Sequence, residues 1–109
     1  MILELSASNF QAEIQNHDTL VLFYANWCGH CHNMMPEFEK FANEVHDGVN
    51  IARIDCALNG NGEICQANAI KGYPTMKFFD HDGKVTDFIP EKRTADLMEK
   101  KLNEILHSN

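Results

Sequence analysis

Leu20-Val21-Leu22-Phe23-Tyr24-Ala25-Asn26-Trp27-Cys28-Gly29-His30-Cys31 is the stretch of sequence that decides the fold. An apolar run leads into two thiols three positions apart, and Met34, Phe38, Phe41 and Val45 then recur at three- and four-residue spacing. That order predicts a buried strand, a tight junction and a long amphipathic helix. Two thiols at such a junction can close and reopen a disulfide, and the helix N-terminus stabilises the thiolate that this chemistry requires. Cys28, at the helix start, is the expected attacking thiol, and Cys31, one turn further in, the expected resolving one. Gly29 and His30 lie between them, and a protonated imidazole at His30 favours the Cys28 thiolate.

The elements around this junction alternate. Thr19 to Ala25 is too apolar on both faces for an edge strand and is predicted to be parallel and central. Before it, Ile2 to Leu5 predicts a short strand, and Ser8 with Gln11 three positions on predicts a capping box opening a helix through Asn16. After it, the long helix carries Pro36, which should kink it, and should end at Asp47-Gly48. Val49 to Asp55 predicts a strand and Gly60 to Ala69 a short helix. Thr75 to Asp80 and Val85 to Ile89 flank the turn signal Asp80-His81-Asp82-Gly83. From about Arg93, a last helix places Met98, Leu102 and Ile105 on one face. The order βαβαβα followed by ββα predicts an α/β domain with a mixed central sheet flanked by helices on both faces.

Composition narrows the class. A chain of 109 residues, 44% apolar and without a break in composition, predicts one domain over residues 1–109. No apolar run approaches the roughly 18 residues of a membrane-spanning helix, and the first residues lack the pattern of a signal peptide, so a soluble domain is expected. A net charge of −7 opposes a nucleic-acid or anionic-membrane partner, since no basic stripe is present.

Trp27-Cys28-Gly29-His30-Cys31, the preceding Phe23-Tyr24-Ala25, the later Gly72-Tyr73-Pro74-Thr75 and Lys77-Phe78-Phe79 resemble the catalytic thioredoxin-like domain of protein disulfide isomerases. The resemblance covers essentially the whole chain. It implies a thioredoxin fold and a thiol–disulfide oxidoreductase acting on protein thiols, with no metal and no organic cofactor. The implied partners are protein or peptide substrates and a redox donor such as glutathione or a sulfhydryl oxidase, and a monomer is expected. The midpoint potential should lie nearer the isomerase value than thioredoxin's, a gap of about 90 mV or roughly 4 kcal/mol. Two alternatives are a chaperone or adaptor domain that captures clients by mixed disulfide without turnover, and the shuttle domain of a flavin-linked sulfhydryl oxidase.

The resemblance also assigns roles by position. The peptide bond before Pro74 should be cis, with backbone groups of Tyr73 receiving the client chain and Trp27 lining the same groove. Arg93 matches an isomerase arginine that swings toward the active site and adjusts the resolving cysteine. The chain departs from the family at Leu22, where isomerases carry a buried glutamate paired with a lysine whose place here is Arg53. The usual proton relay to Cys31 is thereby in doubt.

The sulfurs allow other interpretations. Cys28-Gly29-His30-Cys31-His32 satisfies the C-x-x-C-H pattern of haem attachment, but sits inside a βα unit with no apolar haem pocket in prospect. Zinc lacks a second, properly spaced ligand pair, and a permanent Cys28–Cys31 staple is disfavoured because structural bridges seldom use so short a loop. His32 is expected to be solvated, as are His17, His46, His81 and His107. Cys56 and Cys65 bracket a loop of Asn and Gly, as a similar pair does in some isomerase relatives and in quiescin-type sulfhydryl oxidases. A structural disulfide is expected there, with two independent thiols or a second redox centre as alternatives. Four cysteines in so short a chain fit an oxidising compartment, so the secretory pathway, and the endoplasmic reticulum lumen above all, is expected, with a cytoplasmic free-standing form as the alternative. His107-Ser108-Asn109 is not a retention tail.

Overall fold

The apolar run that precedes the cysteine pair becomes the middle strand of a five-stranded sheet. In the computed structural model, which describes residues 1–44 and 46–108, the elements in chain order are β1 (Leu3–Leu5), α1 (Phe10–Asn16), β2 (Asp18–Tyr24), α2 (Gly29–Ala42), β3 (Val49–Asp55), α3 (Gly62–Ala67), β4 (Thr75–Phe79), β5 (Val85–Asp87) and α4 (Ala95–Leu106). The spatial order is β1-β3-β2-β4-β5; β1, β3 and β2 run parallel, and β4 and β5 are antiparallel to their neighbours. This is the mixed α/β sheet expected of a thioredoxin fold. Val45 and Asn109 lie outside the described residues.

Alternation along β2 builds two cores. Leu20 and Leu22 face Met34, Phe38 and Phe41 of α2 and Met98 and Leu102 of α4, whereas Val21 and Phe23 join Phe10, Ile54 and Phe79 on the other face. Phe10 meets the Phe79 ring edge-on at 5.7 Å between centroids. Helices on both faces leave β2 buried from Thr19 to Phe23, so a long apolar run was the pattern required.

Several boundaries differ from the sequence expectations, each for a local reason. Ser8 does not cap α1. Asn9 occupies that place without a capping side-chain bond, because its Oδ1 accepts from Ser6 N at 2.7 Å while the Ser6 and Ser8 hydroxyls bond each other. Helix α2 runs through Pro36 but ends at Ala42, before Asp47-Gly48. The His46 ring folds back so that Nε2 lies 2.8 Å from the Phe41 carbonyl, close to Glu99 of α4, and Gly48, at φ +77°, turns the chain into β3. The His46 side chain is therefore 5% exposed rather than solvent-facing, whereas His17, His81 and His107 are exposed. Helix α4 starts at Ala95: Thr94 Oγ1 accepts from Leu97 N, and Glu37 of α2 accepts from Ala95 N at 2.8 Å. Strand β5 stops at Asp87, and the turn before it is held by Asp80 Oδ1, which accepts from the backbone of Asp82 and Lys84. Among the described residues no helix is long and apolar enough to cross a membrane.

Candidate active site

Strand β2 delivers the chain to the junction, and four residues after Tyr24, Cys28 becomes the N-cap of α2. Its sulfur accepts from the Cys31 backbone N–H at 3.3 Å, taking up one of the donors that a helix start leaves unpartnered. Both Cys28 and Cys31 are free thiols in this structure, Cys28 7% exposed and Cys31 1%. The Tyr73–Pro74 peptide bond is cis, and the Cys28 thiol donates to the Tyr73 carbonyl across 3.7 Å. Trp27, 69% exposed, stands edge-on to the Tyr73 ring at 5.8 Å. Gly29 has open space where a side chain would stand.

The two thiols are pushed in opposite directions. A hydrogen bond from the Cys31 thiol, together with backbone N–H groups of Cys31 and His30 and the charge of Arg93, lowers the Cys28 pKa against the opposing effect of burial. Burial raises Cys31 to about 11, helped by the bond it gives Cys28, although Arg93 again acts to lower it. His30 thus acts on Cys28 through its backbone, while its exposed side chain sits on the helix surface. Arg93 is exposed in the connection between β5 and α4. The pair therefore has one sulfur poised to ionise and one held protonated.

Leu22 is fully buried in the core beneath α2, directly opposite Arg53 in the sheet register. The guanidinium turns elsewhere. Its Nε donates to Glu4 at 2.6 Å, and its charged end lies over the Tyr24 ring at 5.2 Å. Tyr24, which packs against the cysteine cluster, donates its hydroxyl to Glu4 at 2.9 Å. Burial and this bond push the phenol to about 12, so it stays protonated through the physiological range.

A buried carboxylate missing from the sequence expectations organises the loop before Cys28. Asp55, 4% exposed at the end of β3, accepts from the Asn26 backbone and side-chain nitrogens at 3.3 and 3.0 Å and from Ala57 N at 3.0 Å. His32 closes the other side of the loop, with Nε2 2.6 Å from the Asn26 carbonyl, so this exposed imidazole is engaged rather than merely solvated. The next residue, Cys56, is disulfide-bonded to Cys65 of α3, and its N–H donates to the Tyr24 carbonyl at 2.8 Å. Asn61, buried inside the bridged loop, donates to the Asp55 carbonyl and accepts from Ala7 N. An Asp ending an apolar strand beside a cysteine was the signal available in sequence. Among the described residues no three His, Cys, Asp or Glu side chains converge as a metal site.

Comparison with known proteins agrees with this geometry. The thioredoxin family model matches residues 1–104. Protein disulfide-isomerase 1 of Dictyostelium discoideum is 36% identical over 108 residues, covering 94% of this chain and 29% of that protein. The protein disulfide-isomerase of Ricinus communis is 39% identical over 99 residues, covering 87% of this chain and 20% of that protein. The chain thus spans less than a third of the length of these relatives. Among solved structures, the Trx4 domain of ERdj5 superposes with a TM-score of 0.81 at 26% identity, over 97% of this chain and 96% of that one.

Proposed function

Because the chain belongs to the thioredoxin family, we propose that it is a thiol–disulfide oxidoreductase of the disulfide-isomerase type, working on cysteines of polypeptide clients. The observation that carries this reading is the divided pair: Cys28 lowered at the head of α2 beside the Tyr73 carbonyl, and Cys31 raised to about 11 behind it. In the reducing direction the Cys28 thiolate attacks one sulfur of a client disulfide, a Cys28–client bond forms, and the second client sulfur leaves as a thiolate. Cys31 then loses its proton and attacks Cys28 Sγ, so that the client leaves reduced and Cys28–Cys31 is oxidised. The reverse sequence donates a disulfide. Trp27 and the Tyr73 backbone form the seat for the client chain, and Arg93 favours ionisation of both sulfurs. Glutathione or a sulfhydryl oxidase would reset the pair, the domain would act as a monomer, and the Cys56–Cys65 bridge suits the secretory pathway.

Brief alkylation of the reduced protein at mildly acidic pH should label Cys28 well ahead of Cys31 and leave Cys56 and Cys65 untouched. Equal labelling of Cys28 and Cys31 would remove the basis of the assignment. A second reading, capture without turnover, draws on Leu22 beneath α2, an apolar side chain that cannot take the Cys31 proton. Insulin reduction measured beside oxidative refolding separates the two: multiple turnovers identify an oxidoreductase, and stable mixed disulfides an adaptor.

A further inference from the structure

Pro74 also belongs to the wall of a groove of about 760 Å³ between the loop leading into β4 and the connection from β5 to α4. Its charges run against those of the molecule. The chain has 16 acidic and nine basic side chains, yet Lys71, Lys77, Lys92 and Arg93 line this groove against Asp87 and Glu91. Lys77 pairs with Asp87 at 3.8 Å, which leaves Lys71, Lys92 and Arg93 exposed; among the described residues none of these three has a carboxylate within ion-pair distance. Ile89, 73% exposed, and Pro90 supply an apolar strip beside them.

Resting on the exchange reading above, we propose that this groove receives the client segment flanking the reacting cysteine and selects segments with acidic side chains near that cysteine. A client sulfur joined to Cys28 places the adjoining backbone at Tyr73 and Pro74, and Pro74 is already groove wall. An extended chain advances about 3.3–3.6 Å per residue, so acids two to five positions from the cysteine reach roughly 7–18 Å along a groove whose wall carries Lys71, Lys92 and Arg93. Local positive potential on an acidic molecule speeds the approach of such segments and slows basic ones, while Ile89 covers one apolar client side chain.

The test uses three peptides, each with one cysteine in a disulfide to the same neutral thiol and with two Glu, two Gln or two Lys at the positions three and five from it. Exchange is followed as attack by Cys28 releases the neutral thiol, and each rate is divided by that of the same peptide with 2-mercaptoethanol. At low salt the Glu peptide should react roughly three- to tenfold faster than the Lys peptide, with Gln between. At 1 M salt, where the screening length is about 3 Å, the ratio should fall below about twofold. Lys71→Glu with Lys92→Glu should invert the order, and Lys71→Gln with Lys92→Gln should flatten it. Equal normalised rates, or an order unchanged in both double variants, would overturn the proposal while leaving the exchange reading intact. No exchange with any peptide would overturn both. A parallel run with glutathione disulfide closes the test: salt dependence there with none among the peptides would assign the groove to a small anionic thiol and end the client assignment.

Discussion

Leu22→Glu should accelerate the release of clients trapped on Cys28 by roughly tenfold or more at neutral pH, and should weaken the fold as it does so. Resolution requires Cys31 to give up a proton inside an apolar site, and burial holds that thiol at about 11. In the natural chain the resolving rate should therefore climb about tenfold per pH unit through the neutral range, following the thiolate fraction. Tyr24 cannot serve as the base, since its phenol is protonated to about 12 and already donates to Glu4. A carboxylate at position 22 would stand beneath α2 and flatten that pH profile. It would also sit where exposure is zero, a cost on the order of 3 kcal/mol for a buried acid without assured partners. The sign with pH follows from a folded pKa raised above the unfolded one. The penalty is least below about pH 4, where the group is neutral in both states, and grows as pH rises toward the raised value. Stopped-flow kinetics on a preformed Cys28 mixed disulfide checks the prediction, with circular dichroism reporting the fold. Unchanged resolution in a folded Leu22→Glu protein would show that another group already carries the proton.

Replacing Cys56 and Cys65 together by alanine should cost about 2–3 kcal/mol, the chain-entropy value for a bridge spanning nine positions. For a domain of this size that lowers the melting temperature by roughly 10–15 °C. Asp55 and Asn61 lie beside or within the bridged loop, and Asp55 holds Asn26, so the effect should reach the redox pair as faster but less selective alkylation of Cys28 and Cys31. Melting within 2 °C of the natural chain would show that packing of α3 alone secures the segment.

The parts legible in sequence are those written locally. The β2 run, the Cys28-to-Cys31 spacing and the β4–β5 turn each depend on residues within a few positions, and they stand where the periodicity and turn chemistry placed them. Residues whose surroundings come from distant elements were not legible. His46 looked like a loop histidine, but packing of α2 against α4 brings Glu99 to it and buries the ring. Asp55 looked like a strand end, and only the parallel pairing of β2 with β3 sets it beside Asn26. Ser8 read as the cap of the first helix, but that helix opens one residue later at Asn9, whose side chain is taken by the bond from Ser6 N. Arg53 pairs with Leu22 in the sheet register, yet its side chain follows Glu4 because an ion pair near solvent avoids the desolvation of a buried one.

The sheet ends at β1 and β5, and both are three residues long. An edge strand offers its unpaired backbone to any other extended chain, which is how aggregation spreads. An oxidoreductase of polypeptide clients, as proposed above, meets such strands in its substrates. With so little edge on either side, and with Lys84 just before β5 and Asp87 at its end, an incoming strand finds too few donors and acceptors to build a ladder. Under the proposed function, contact with client chains is thereby steered away from the rims of the sheet.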